Sequence, residues 1–241
     1  MPIAHRGFHN NEFPENSIGA FINAKKHGFA IELDVQLSVD DNIVVFHDAD
    51  TFRMTKEKGK INELKLSQIK KRKLLNSDFD IPTLKEVFDT VGKDIPILIE
   101  IKNSKKPGKL EMLLCSEINS YQGVCAVQSF NPLSLQFVKQ KCPHILRGQL
   151  SQSYKDEKMN IIKKYILKNF ILNNLSEPHF ISYRIDDLPN RKIYSFRKKG
   201  IPIIGWTIND KNFYDAKKYC DNIIFENIKI PEDIFSFYKQ V

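Results

Sequence analysis

The sequence predicts an α/β fold, a (β/α)8 or TIM barrel. Eight short apolar, β-branched runs alternate with segments of helical length and period across 241 residues, close to the ~250 residues usual for that fold. A doubly wound open sheet has the same alternation. No Gly-rich phosphate fingerprint opens a helix here, which weighs against it. There is no repeat, linker or low-complexity segment, so one domain over residues 1–241 is expected.

The strands are read at 2–5, 30–35, 95–102, 124–129, 145–150, 180–184, 203–207 and 222–225, each from a compact apolar run. Helical periods between them include 16–27, 132–141 and 189–199. A ninth run, Ile43-Val44-Val45-Phe46-His47, follows the second strand after only Ser38-Val39-Asp40-Asp41-Asn42. That gap is too short for a crossover helix, and its Asp-Asp-Asn chemistry suits a hairpin turn. A turn centred between Asp40 and Asp41 pairs residues whose numbers sum to 81 and sets His47 opposite Asp34. Residues 51–75 are Lys-rich and irregular, a short insertion expected to lead into a helix before Ile81-Pro82-Thr83-Leu84. Ile161, Ile162, Tyr165, Ile166, Phe170 and Ile171 form an apolar stripe, with Lys163, Lys164 and Lys168 on the other side. An ordinary barrel helix is the expected reading, and a membrane-surface helix the alternative.

The chain carries 37 Lys and Arg against 29 Asp and Glu, a net charge of +8, and only 7 of the basic residues are Arg. Such a surplus reads as an ordinary Lys-rich surface or as weak attraction to anionic substrates and membranes. No basic run interleaved with aromatics and no recognition-helix signature is present, so nucleic acid is not expected as a partner. Cys115, Cys125, Cys142 and Cys220 lack metal-ligand spacing and read as reduced thiols. The opening Met1-Pro2-Ile3-Ala4 leaves no room for a signal peptide, and a cytoplasmic location is expected. The oligomeric state is not legible.

Residues two apart on a strand share a face. Glu32 therefore points with Asp34, and Glu100 with Lys102, each pair inside a strongly apolar strand. If both strands line a barrel, three carboxylates converge at its C-terminal mouth. Unneutralised they would repel and take up protons. A divalent cation resolves this, and an all-oxygen donor set favours Mg²⁺ or Ca²⁺ over zinc. The alternative is an ion-pair network in which Arg6 and Lys102 neutralise the carboxylates without a metal. His5 and His47, at strand ends beside the carboxylates, can serve as acid and base across a phosphodiester. Arg6 offers a fork for phosphate, and Gly7 permits a tight turn. His9, His27, His144 and His179 lack such surroundings. Asn16 or Ser17 is a helix cap or a substrate contact. Trp206, the single tryptophan, ends a strand and reads as core or as the wall of a pocket.

In order along the chain stand Ala4-His5-Arg6-Gly7, Pro14-Glu15-Asn16-Ser17 with Ala20-Phe21, Glu32-Leu33-Asp34-Val35 and Val45-Phe46-His47-Asp48. Then come Ile81-Pro82-Thr83-Leu84, Glu100-Ile101-Lys102, Gln128-Ser129-Phe130 and Trp206-Thr207-Ile208-Asn209. On these motifs the chain resembles the glycerophosphodiester phosphodiesterase family. The resemblance implies a metal-dependent hydrolase that cleaves glycerophosphodiesters to an alcohol and sn-glycerol 3-phosphate. It implies His5 and His47 as the acid/base pair and Glu32, Asp34 and Glu100 as ligands of Mg²⁺ or Ca²⁺. It further implies Arg6 and Lys102 on phosphate and Trp206 at the glycerol end. One departure stands out: the family's usual glycine-bearing last strand is replaced by Tyr219-Cys220-Asp221-Asn222-Ile223-Ile224-Phe225-Glu226-Asn227. Asn42 stands where a glycine often follows the hairpin aspartates. A phospholipase D-like or phosphatidylglycerol-cleaving enzyme at membranes is the rival with the same chemistry. A non-catalytic barrel would have lost one of these histidines or carboxylates.

Overall fold

The computed structural model describes residues 1–103 and 106–228; positions 104–105 and 229–241 of the expected domain lie outside the described residues. The strands are β1 (Ile3–Ala4), β2 (Ala30–Leu37), β3 (Ile43–Val45), β4 (Ile97–Ile101), β5 (Cys125–Ser129), β6 (Leu146–Ser151), β7 (Phe180–Arg184), β8 (Ile203–Ile208) and β9 (Asn222–Phe225). All except β3 pair in parallel, in the order β1-β2-β4-β5-β6-β7-β8-β9, and β9 returns to β1. The sheet is closed, as in a (β/α)8 barrel and unlike an open doubly wound sheet.

Alternation along each strand builds two cores. Ile31, Leu33 and Val35 of β2 and Ile97, Ile99 and Ile101 of β4 face outward, into a layer shared with the helices. The intervening residues face inward. Near the base these are apolar: Ile3, Ala30, Leu98, Phe180, Ile204 and Ile224 fill the barrel. Two residues further along, the same faces carry His5, Glu32, Glu100 and Trp206, which line a cavity at the C-terminal end. The barrel interior thus changes from hydrocarbon to charge within one step of the pleat.

The helices are α1 (Ile18–Lys26), α2 (Phe52–Thr55), α3 (Leu66–Ile69), α4 (Leu84–Val91), α5 (Lys109–Ser120), α6 (Pro132–Lys141), α7 (Ile161–Lys168), α8 (Asn173–Ser176), α9 (Arg191–Lys198) and α10 (Phe213–Tyr219). Ser17 caps α1, its hydroxyl accepting from Ala20 N–H at 3.1 Å. Thr83 and Glu86 form a reciprocal capping box on α4. The four cysteines are unpaired. No helix among the described residues is long and apolar enough to cross a membrane.

Three expectations need correction. The hairpin pairs Val35 with Val45 and Leu37 with Ile43, so partner numbers sum to 80 and not 81. Asp41 causes this. At φ +66° it occupies the left-handed region and closes an odd, three-residue loop between Ser38 and Asn42. Asp34 therefore faces Phe46, whose N–H donates to the Asp34 carbonyl at 2.9 Å, and His47 lies past the paired strand. Next, the insertion holds only α2, a 3-10 turn at Ile61–Glu63 and α3; the longer helix α4 begins after Thr83. Its scattered apolar residues make a small core of their own, Val44, Phe46, Met54, Ile61, Ile69, Leu74 and Ile81. Lastly, most of the stripe at 161–171 is not covered by the barrel, although Phe170 joins the main core. α7 buries none of its residues, and only Phe170, beyond its end, is buried.

Candidate active site

Glu32, Asp34 and Glu100 come together at the C-terminal end of the barrel, each offering an oxygen within 4.8 Å of the others. All three are buried. β2 supplies two because Glu32 and Asp34 are two apart. β4 supplies the third, since Asp34 is in register with Glu100. This is the one such cluster of potential metal ligands among the described residues.

The ion pairs expected as the alternative to a metal are present but incomplete. Lys102 Nζ lies 2.9 Å from Glu100 Oε1, and Arg6 Nη1 lies 2.8 Å from Glu15 Oε1. Arg6 Nε is 3.4 Å from Asp34 Oδ2. Asp34 Oδ1 is buried without a hydrogen-bond partner, with Lys102 Nζ 3.6 Å away. Glu32 accepts the Arg6 backbone N–H at 3.0 Å and pairs with no side-chain cation. Three carboxylates thus face two cations. A hard cation fits this all-oxygen set and its unfilled Asp34 oxygen.

The acidities report the same imbalance. Burial, with Asp34 and Glu100 alongside, raises the Glu32 carboxyl well above its usual range. Burial and Asp34 push Glu100 up to about 7. For Asp34, burial pulls upward, but Lys102, Arg6, His47 and Asn16 outweigh it and lower its pKa. A carboxyl whose pKa is raised by folding binds more protons folded than unfolded, so stability falls as pH rises through that window. With a chelator present, the unfolding midpoint is therefore expected to drop between pH 4.5 and about 7. Added Mg²⁺ or Ca²⁺ should raise the midpoint most at the upper end, where protons no longer compete. Calorimetry over that range checks it. A flat profile in chelator would contradict the picture of a cluster short of positive charge.

Two histidines flank the cluster, each with Nδ1 tied to a carboxylate. His5 Nδ1 lies 2.7 Å from Glu226 Oε2, and His47 Nδ1 lies 2.6 Å from Asp48 Oδ1. Gln36 holds His47 in place by donating to the carbonyls of Phe46 and Asp48, both at 2.8 Å. Burial lowers the His47 pKa, with Lys102 and Arg6 adding to the effect against the pull of Asp34 and Asp48. Both histidines line a cavity of about 110 Å³ with Arg6, Glu32, Glu100, Lys102 and Trp206. Asp34 is not among the residues that line it. The Trp206 ring meets Phe130 edge-on at 5.7 Å, and its indole N–H is buried without a partner. Larger grooves exist elsewhere, one of about 640 Å³ between α4 and α5, but it gathers no such ligand cluster.

The turn after β1 depends on Arg6 and Gly7, at φ +53° and +81°. A Cβ on Gly7 would meet Ala20 and Phe21 atoms at 2.9 Å. Gly7→Ala is expected to cost roughly 1–2 kcal/mol in backbone conformation and roughly 1–3 kcal/mol in overpacking. Urea unfolding measures this, and a loss below ~1 kcal/mol would contradict the tight approach.

Four contributors take their roles only from the fold. Asn16 does not cap α1; its Nδ2 donates to Asp34 Oδ2 at 3.0 Å. Arg53, from the insertion, bridges Glu15 and Asp48. Glu15 in turn holds Arg6. Glu226 orients His5 and has His9 Nε2 3.8 Å from the same oxygen, so His9 is no isolated surface residue. Hydrogen bonding by His5 and His9 holds the Glu226 carboxyl far below its usual range.

Residues 5–228 match the glycerophosphoryl diester phosphodiesterase family. A glycerophosphodiester phosphodiesterase of Caldanaerobacter subterraneus subsp. tengcongensis is 33% identical over 257 aligned positions, covering 100% of this chain and 98% of that protein. The chain belongs to the glycerophosphoryl diester phosphodiesterase family. Membership makes it a phosphodiester hydrolase of the glycerophosphodiester class. Among solved structures, a glycerophosphodiester phosphodiesterase from Thermotoga maritima superposes with a TM-score of 0.73 at 27% identity, covering 99% of this chain and 97% of that one. A phosphodiesterase from Oleispira antarctica, solved in complex with the product sn-glycerol-3-phosphate, superposes at 0.81 with 21% identity, covering 100% of this chain and 97% of that one. The latter likeness is one of fold.

Proposed function

We propose that one barrel domain over residues 1–241 hydrolyses glycerophosphodiesters to an alcohol and sn-glycerol 3-phosphate. His5 and His47 act as the acid/base pair, and a divalent cation is held by Glu32, Asp34 and Glu100. One observation carries the reading: two carboxylate-tied histidines face the same small cavity as a buried carboxylate cluster short of positive charge. The bound cation, Mg²⁺ or Ca²⁺, would supply positive charge against the phosphate oxygens as they gain charge in the transition state.

The chain's own groups do the rest. Arg6 and Lys102 line the cavity and bind the phosphate, adding fixed positive charge. His47, whose pKa is lowered by burial, takes the proton of the attacking hydroxyl. His5, oriented by Glu226, gives a proton to the departing alkoxide. Trp206 lines the cavity and walls its glycerol end. The attacking hydroxyl belongs to water or to the substrate's own glycerol; phosphorus NMR distinguishes them, because the second route passes through a cyclic phosphate.

The cavity of about 110 Å³ favours a small diester over a diacyl lipid, as drug-sized ligands need ~300–1,000 Å³. A panel of glycerophosphocholine, glycerophosphoethanolamine and phosphatidylglycerol vesicles tests this. Turnover of the soluble diesters is expected; turnover confined to the vesicles would favour the lipid-cleaving reading instead.

Glu226 is proposed as a positioning residue. Glu226→Ala is expected to lower kcat roughly ten- to hundredfold, as for other partners that orient an imidazole. KM should hardly move, and Glu226→Asp should recover part of the rate. A loss confined to KM would contradict the role.

A further inference from the structure

α7 is out of keeping with the other barrel helices. Ile161, Ile162 and Tyr165 are 80%, 66% and 64% exposed, and none of its residues is buried. Ile171, three residues past its end, is 46% exposed. Apolar side chains this exposed on one short helix mark a contact surface.

We infer that α7 and the segment before it dock the enzyme on an anionic lipid bilayer. The charge pattern selects this occupant. Between residues 155 and 168 there are five lysines, Lys155, Lys158, Lys163, Lys164 and Lys168, against Asp156 and Glu157. Isoleucine tips, an interfacial tyrosine and a lysine rim are what a helix lying in the headgroup region presents. The whole chain, at +8, is drawn the same way. A second copy fits poorly. Two-fold pairing would set these lysines against one another, and stable interfaces draw on ~20–30 residues a side.

The helix also sits at the working end of the barrel. β6 ends at the C-terminal face, and residues 152–160 lead from there into α7. Buried Tyr154 in that connection packs at 6.4 Å from Phe130, which contacts Trp206 in the cavity. Docking through α7 would hold the cavity near a lipid surface, where glycerophosphodiesters are released by deacylation of phospholipids. This last clause rests on the proposed hydrolase reading; the docking itself does not.

The test is co-sedimentation of the full chain with vesicles of phosphatidylcholine alone or mixed with phosphatidylglycerol. Binding to the mixed vesicles, weakened by salt, is expected, with little binding to phosphatidylcholine. Ile161→Ser/Ile162→Ser should abolish it. Lys163→Glu/Lys168→Glu should weaken it by at least the roughly fivefold per lysine expected near an anionic surface. Both variants should keep wild-type circular dichroism, since Ile161, Ile162, Lys163 and Lys168 are all exposed. Three results would overturn the proposal: equal binding to both vesicle types, binding that survives the isoleucine changes, or no vesicle binding with a dimer in sedimentation velocity that Ile161→Ser/Ile162→Ser dissociates. Turnover of soluble glycerophosphocholine should be unchanged in both variants, which separates failure of docking from failure of the catalytic reading.

Discussion

His47→Ala is expected to lower kcat on glycerophosphocholine by ~10²–10⁴-fold, the range for loss of a general acid or base, and to leave KM nearly unchanged. The ring lies past the paired part of the hairpin, tied to Asp48 at 2.6 Å, while Gln36 bonds the flanking carbonyls at 2.8 Å, and it supports no core. The unfolding midpoint should therefore stay near wild type. His5→Ala is expected to match it in kcat, and the double variant should fall little further, because a base and an acid that serve the same displacement act as a unit. Near-wild-type turnover in either single variant would remove that histidine from the mechanism. Steady-state kinetics with a coupled assay for glycerol 3-phosphate reads all three.

Glu32→Gln is expected to move stability and activity in opposite directions. Glu32 is buried, pairs with no side-chain cation, and is pressed toward its neutral form by burial, Asp34 and Glu100. Glutamine keeps the shape and can still accept the Arg6 N–H. In chelator the variant should thus unfold at a higher temperature than wild type at pH values above about 7, where Glu100 is also ionised. It should lose most of the stabilisation that added Mg²⁺ or Ca²⁺ brings, and kcat/KM should fall by ~10²–10³-fold. Calorimetry with and without the ion, alongside kinetics, decides it. If wild type and variant gained equally from the ion, Glu32 would not be a ligand.

Much of this was legible in the sequence for a plain reason. An acidic residue within an apolar strand has few bland explanations, and the two-residue pleat puts Glu32, Asp34 and Glu100 on one face without any knowledge of tertiary structure. The eight barrel strands were visible through their apolar runs. The groups that hold the site in place were not. Glu226 meets His5 across 221 positions, and Arg53 reaches Glu15 across 38. Only closure of the barrel and folding of the insertion bring them together. Asn16 looked like a cap because Asn and Ser are interchangeable there; Ser17 took the cap and left Asn16 for Asp34. The hairpin slipped by one because a left-handed Asp41 adds a residue to the loop, a choice that Asp-Asp-Asn chemistry leaves open. The α7 stripe misled differently. Helical amphipathicity says that one face is apolar and does not say what covers it.

The insertion ties the two halves together. Its small core anchors Arg53, which bridges Glu15 and Asp48, and these hold Arg6 and His47 respectively. Asp34 of the carboxylate cluster, Arg6 and His47 are thus tied into a single polar chain.

The most direct test is turnover of glycerophosphocholine by the chelator-treated enzyme, followed by addition of Mg²⁺ or Ca²⁺. Activity should vanish in chelator, return with one of these ions, and fail to return in Glu32→Gln. Full activity in chelator would contradict a cation held by Glu32, Asp34 and Glu100, and would leave Arg6 and Lys102 to neutralise the site alone.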